Sequence, residues 1–142
     1  VARYDGPIRA ATDAAKIFAA VLGPELVEVF VVLYLDAKNR PIGYSEVARG
    51  SVSSCSVTVA DVLRAVLASG CAGAIVAHNH PSGDCSPSPE DIATTRRLWQ
   101  GAAAVGLRLL DHVIVASGEP VQGQPAFFSM LDAGTLPAAG QS

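Results

Sequence analysis

One segment, residues 78–91, constrains this chain more than any other. It follows a short apolar run at residues 74–77, contains two of the three histidines, and reaches a helix start at Ser88 through a loop rich in proline, glycine and serine. A strand end, two imidazoles, a loop and a helix cap in this order are the layout of a metal site.

The side chains of this segment can supply three metal ligands. His78 and His80 can face one point if the chain leaves its regular pleat, and Pro81 is expected to enforce that departure. Asp91 returns in the first turn of the following helix, where its carboxylate can face back toward the strand end. Two imidazoles and one carboxylate leave a fourth position for water, whose pKa falls to about 7 on zinc. The pattern is therefore typical of a catalytic zinc site.

The periodicity of the rest of the chain predicts an α/β fold. Apolar residues at helical spacing indicate helices over residues 10–22, from a cap at Thr58 to a stop at Gly70, and from the cap at Ser88 to about Val105. Apolar and β-branched runs indicate strands, of which the first two form a hairpin. The predicted strands span residues 28–36, 41–50, 73–78, 109–115 and 126–130.

Length, charge and cysteine content narrow the class of protein. With 142 residues and a hydrophobic content of 50%, the chain fits one domain. We expect this domain at residues 10–133, between an arm at residues 1–9 and a flexible tail at residues 134–142. A net charge of −3 is too weak for autonomous binding to a nucleic-acid backbone.

Three cysteines without CxxC spacing favour a cytoplasmic protein that has no disulfide framework. No apolar run is long enough to span a bilayer, so we expect no membrane contact. The sequence opens with Val1 rather than Met, as a piece of a longer protein does.

The spacing of the candidate ligands resembles a known pattern. From His78 the order is His, one residue, His, seven residues, Ser88, two residues and Asp91, which resembles the JAMM pattern of MPN-type metalloproteases. Two surrounding sequence segments are similar to segments of the RadC family. They are His-Asn-His-Pro-Ser-Gly-Asp at residues 78–84 and Leu-Asp-His-Val-Ile-Val at residues 110–115. The resemblance implies an MPN (JAB/JAMM, cytidine-deaminase-like) fold with helices around a mixed β-sheet.

The resemblance also implies roles for individual residues. It makes His78, His80 and Asp91 ligands of Zn2+, and it makes Ser88 a group that helps to stabilise the developing oxyanion. The family pattern further calls for a glutamate at the first strand as general base. Glu28 opens that predicted strand and is the expected base, and Glu46 on the paired strand is its rival.

The function that the resemblance implies is zinc-dependent hydrolysis of a peptide or isopeptide carbonyl, with a protein or peptide as substrate. The alternative is a DNA repair-associated protein with a nucleic-acid-processing or non-catalytic interaction role. The oligomeric state is left open. We expect three further residues to have structural rather than catalytic roles: Asp84 as a turn acid, Cys85 as an incidental surface thiol and His112 as a hydrogen-bonded structural residue.

Overall fold

Helices and strands alternate along the chain in the computed structural model, which describes residues 6–50, 59–119 and 121–137. In chain order the elements are α1 (Ala11–Leu22), β1 (Val29–Leu35), β2 (Pro41–Arg49), α2 (Val59–Ser69), β3 (Gly73–His80), α3 (Pro89–Ala104), β4 (Leu109–Ala116) and β5 (Phe127–Ser129). The predicted α/β class is confirmed. The predicted cap at Thr58, the connection at residues 51–56 and the outer parts of the predicted arm and tail lie outside the described residues.

The five strands form one mixed sheet in the order β2-β1-β3-β4-β5. β1 runs antiparallel to β2, as the predicted hairpin requires, and also antiparallel to β3. β3 and β4 run parallel, because α3 carries the chain back to the edge from which β3 started. As a result, the start of β1, the ends of β3 and β4 and the start of α3 all meet at one edge of the sheet.

Helices cover both faces of the sheet, which is why β1 is buried along its whole length as predicted. On one face α1 packs its Phe18 and Leu22 against residues of β1 and β3. On the other face α2 and α3 pack Val62 and Leu98 against the same two strands. No helix in the described part of the chain is long and apolar enough to cross a membrane.

β3 continues to His80, two residues beyond its predicted end. The expectation that Pro81 breaks the pleat between the two histidines is therefore wrong. In a regular strand, residues two positions apart point to the same face of the sheet, so the pleat itself puts His78 and His80 side by side. Both rings face the layer that contains α2 and α3, and the His78 ring stacks on Phe30 with an interplanar angle of 8°.

Asn79 faces the opposite layer and ties three chain segments together. Its Oδ1 accepts the Val29 N–H at 2.8 Å, and its amide nitrogen donates to the Val27 carbonyl at 3.0 Å and to the Ser117 hydroxyl at 2.9 Å. The side chain is completely buried. Because its partners stand on either side of Glu28, Asn79 fixes the backbone that carries this glutamate to the end of β3.

We expect Asn79→Leu to lower the free energy of unfolding by about 2–4 kcal/mol, because a near-isosteric apolar side chain leaves buried backbone groups of Val27 and Val29 without partners. Urea denaturation followed by circular dichroism measures the loss. Gln100→Leu, at an exposed position on α3, is the control and should change the stability by no more than about 0.5 kcal/mol. Equal stabilities of the two variants would contradict this account of Asn79.

Candidate metal centre

Two imidazole nitrogens meet at the end of β3. The Nε2 atoms of His78 and His80 lie 3.1 Å apart. The side chain of His78 is 3% exposed and that of His80 is 13% exposed, so the cleft reaches solvent on the His80 side.

The carboxylate of Asp91 completes a triangle with these nitrogens. Its Oδ1 lies 3.2 Å from His78 Nε2, and its Oδ2 lies 3.1 Å from His80 Nε2. Asp91 can reach back because it stands in the first turn of α3, where Ser88 caps the helix: the Asp91 N–H donates to Ser88 Oγ at 3.0 Å. In return the Ser88 N–H donates to Asp91 Oδ2 at 2.9 Å, which holds the carboxylate in place.

The three groups fit a zinc ion in spacing and in chemistry. Ligand atoms around a tetrahedral zinc with bonds of about 2.0–2.1 Å are about 3.3 Å apart, close to the distances in this triangle. The Nδ1 of His80 lies 2.8 Å from the carbonyl oxygen of Asp84, which can only accept a hydrogen bond. A neutral His80 therefore carries its proton on Nδ1 and turns the lone pair of Nε2 toward Asp91, where a cation is needed between the acceptors.

The electrostatics of the site also favour a cation. Burial by itself would raise the pKa of the Asp91 carboxyl, but the contacts with His78 and His80 outweigh burial and hold this pKa far below its usual range. For His80, burial lowers the pKa of the ring, whereas the contact with Asp91 raises it. The contacts with the Asp84 carbonyl and with Glu28 also raise it, and the net shift is upward. The carboxylates thus stabilise positive charge at the His80 imidazole.

Of the two rival glutamates, the structure brings only Glu28 to the histidines. Its Oε1 lies 3.8 Å from His80 Nε2, and the ligand atoms of Glu28, His78 and His80 all lie within 4.8 Å of one another. Glu46 instead forms an ion pair with Arg49 at 2.7 Å and is 45% exposed on the edge strand β2. The pairing of β1 with β3 explains the difference, because Glu28 directly precedes β1, the strand next to the histidines.

A second layer of polar residues lies behind His78. His112 on β4 contacts His78 Nδ1 through its own Nε2 at 2.8 Å, and its Nδ1 lies 2.6 Å from the Thr95 hydroxyl on α3. The predicted role of His112 as a hydrogen-bonded structural residue agrees with these contacts. Burial holds the pKa of His112 well below its usual value. Thr95 was not among the residues predicted from the sequence, and its one local signal is its position a helical turn after Asp91.

The loop between β3 and α3 agrees with one expectation and contradicts another. Asp84 is a turn acid as predicted, since its carboxylate accepts the Ser86 N–H at 2.9 Å. Cys85 was expected at the surface, but it is 1% exposed. It packs against Ile114 and Met130, and its thiol lies 3.4 Å from the Pro125 carbonyl. Burial raises the pKa of this thiol, so Cys85 is a core residue rather than a reactive surface group.

Comparison with known proteins supports the assignment of the fold. A family model described as the RadC-like JAB domain matches residues 8–134. The chain belongs to this family. A UPF0758 protein of Marinobacter nauticus is 39% identical over 119 residues, which are 84% of this chain and 53% of that protein. A UPF0758 protein of Coprothermobacter proteolyticus is 42% identical over 120 residues, 84% of this chain and 51% of that protein.

A further UPF0758 protein, from Halorhodospira halophila, is 47% identical over 103 residues, 72% of this chain and 46% of that protein. The RadC-like JAB domain thus spans about half the length of the curated relatives it matches. The resemblance to the RadC family and the expected MPN-like fold, a mixed sheet with surrounding helices, are both confirmed. A metal ion in this RadC-like JAB domain is compatible with the clustered ligand atoms.

We expect the domain to bind one zinc ion and the His80→Ala variant to bind it at least about 100-fold more weakly, because one of three protein ligands is lost. Competition with a chromophoric chelator measures the dissociation constants. Glu46→Gln is the control, since Glu46 contacts Arg49 instead of the histidines, and it should keep the wild-type affinity. A wild-type protein that takes up no zinc after metal removal and reloading would contradict the assignment.

Proposed function

We propose that this domain is a zinc-dependent hydrolase that cleaves a peptide or isopeptide bond in a protein or peptide substrate. The observation that carries the proposal is the convergence of two imidazole nitrogens and the Asp91 carboxylate at 3.1–3.2 Å, with the Glu28 carboxylate 3.8 Å from His80. Membership of the RadC-like JAB domain family adds support.

In this proposal His78, His80 and Asp91 hold the metal ion. Asp91 is preferred to Glu28 as the third ligand because its two oxygens contact both imidazoles, whereas Glu28 lies farther from His80. When bound, zinc supplies Lewis acidity, which makes water a nucleophile near neutral pH and polarises a substrate carbonyl.

Glu28 has the position and the exposure of a general base. Its side chain is 17% exposed, so one carboxylate oxygen can face the cleft while the backbone on either side is held by Asn79. The Glu28 carboxylate accepts a proton from the attacking water and later donates it to the leaving amine. A carboxylate that carries the proton between these two groups needs no other acid in the site.

Ser88 stabilises the negative charge that develops on the carbonyl oxygen. Its Oγ already accepts the Asp91 N–H, so the oxygen is held in the turn that carries Asp91 and its own O–H proton can be donated to the substrate. Capping and catalysis are compatible, because a cap serine is immobilised by the helix that it begins.

We place the protein in the cytoplasm and expect a protein partner as its substrate. The described cysteines, Cys71 and Cys85, are free thiols, which suits a reducing compartment. The alternative role in nucleic-acid processing draws no support from the net charge of −3. The alternative of a non-catalytic interaction module is decided by the activity measurements below.

We expect Glu28→Gln to reduce hydrolysis by a factor of about 10²–10⁴, because the amide cannot accept the proton, while zinc affinity changes less than about threefold. The assay uses the zinc-loaded protein with a fluorogenic peptide library and a lysine isopeptide substrate. Glu46→Gln should retain wild-type rates. Wild-type protein that binds zinc yet cleaves neither substrate class would support the non-catalytic alternative. Loss of activity in Glu46→Gln but not in Glu28→Gln would make Glu46, rather than Glu28, the general base.

Ser88→Gly separates the two roles of the serine. Glycine is nearly as good a helix cap as serine, so the free energy of unfolding should fall by only about 0.5 kcal/mol. Turnover should fall by a factor of about 10²–10³, as expected when one oxyanion donor is removed. Ser86→Gly, in the same loop, serves as the control for added backbone freedom. Unchanged turnover in Ser88→Gly would leave Ser88 with capping alone.

A further inference from the structure

A chain of three hydrogen bonds leads from α3 to the ring of His78. The Thr95 hydroxyl lies 2.7 Å from the Asp91 carbonyl oxygen and 2.6 Å from His112 Nδ1. The Nε2 of His112 lies 2.8 Å from His78 Nδ1. The three side chains that form these hydrogen bonds are buried, so water does not compete for the bonds. They are Thr95, His112 and His78.

The direction of every bond in this chain follows from its first member. A backbone carbonyl can only accept, so the Thr95 hydroxyl donates its single proton to Asp91. In that arrangement the hydroxyl oxygen accepts the N–H of His112 Nδ1. His112 is 1% exposed, and in its neutral form a proton on Nδ1 leaves a lone pair on Nε2, which lies 2.8 Å from His78 Nδ1. That lone pair accepts the proton of His78 Nδ1.

We infer that Thr95 and His112 are positioning residues that keep the His78 proton on Nδ1 and thereby direct the lone pair of Nε2 into the metal site. His80 reaches the same tautomer through the Asp84 carbonyl oxygen. Separate contacts therefore fix the tautomers of the two imidazoles. The Asp84 carbonyl in the loop after β3 fixes that of His80, and Thr95 on α3 acts through His112 on β4 to fix that of His78. The inference rests on the proposed function only in taking His78 as a metal ligand.

The hydrogen bond between His112 and His78 can reverse its donor and acceptor if the Thr95 hydroxyl is lost. Without it, the Nδ1–H of His112 is buried with no acceptor, which is costly. His112 avoids that cost by moving its proton to Nε2 and donating to His78 Nδ1. His78 then carries its own proton on Nε2, where it blocks coordination. Groups that fix the tautomer of a metal-binding histidine typically contribute 10–100-fold in metal affinity.

Substitution of Thr95 in the 142-residue chain tests this inference. Thr95→Val keeps the shape and the β-branch of threonine but removes the hydroxyl, and we expect its zinc dissociation constant to rise at least about tenfold. Thr95→Ser restores the hydroxyl and should return the constant to within about threefold of wild type. Thr94→Val, the same change at the adjacent helix position, is the matched control and should leave zinc affinity unchanged.

The ring protons provide a readout that a merely structural role would not move. In metal-stripped wild-type protein, ¹⁵N–¹H long-range correlation spectra should show the His78 proton on Nδ1, and in Thr95→Val it should shift toward Nε2. A His78 proton on Nε2 in the wild type would overturn the inference. So would a Thr95→Val protein with zinc affinity within threefold of wild type, even if that protein is an active hydrolase.

The outcomes separate this inference from the proposed function. Zinc affinity that depends on the Thr95 hydroxyl, in a protein that cleaves no peptide or isopeptide bond, would support the inference and refute the hydrolase. A wild-type protein that binds no zinc would overturn both.

Discussion

The candidate metal centre depends on the antiparallel pairing of β1 with β3. In this register Phe30 lies opposite His78, so the start of β1 runs beside the end of β3. Asn79 extends the connection past the last paired residues through its bond to the Val29 N–H, across a separation of 50 residues in the chain. A slip of one residue in β3 would turn Asn79 toward the metal site and the histidines toward α1, because side chains alternate between the faces of a sheet.

The first turns of α3 supply the other half of the site. As the crossover between the parallel strands β3 and β4, the helix must begin at the sheet edge where the histidines stand. Ser88 caps it, Asp91 presents its carboxylate to both imidazoles, and Thr95, one turn later, reaches His112. One rigid element thus holds a proposed ligand and the residue that we infer to orient another, so their relative positions do not depend on the loop between β3 and α3.

Local signals in the sequence were enough to predict most of the elements and the three side chains that the structure brings together at the candidate metal centre. The capping pattern at Ser88 and the apolar run of β1 involve only neighbouring residues, and the described helix and strand agree with them. The end of β3 was predicted too early, because Pro81 was expected to disturb the pleat at the histidines. The strand instead stays regular to His80, and this alone puts His78 and His80 on one face. Cys85 was misplaced because a polar loop sequence does not reveal that the thiol is covered by β4 and the segment after β5.

The sequence by itself determined the candidate donor atoms, since the two histidines at the end of a strand and the acid in the first turn of the next helix are recognised from neighbouring residues alone. It favoured Glu28 as the general base but kept Glu46 as a rival, because both lie on or beside a strand of the same hairpin. Only the tertiary structure separated them: Glu28 leads into the strand next to the histidines, whereas Glu46 is held by Arg49 on the outer strand. The contact of His112 with His78 likewise arises from the parallel pairing of β3 and β4, a long-range contact that sequence periodicity does not encode.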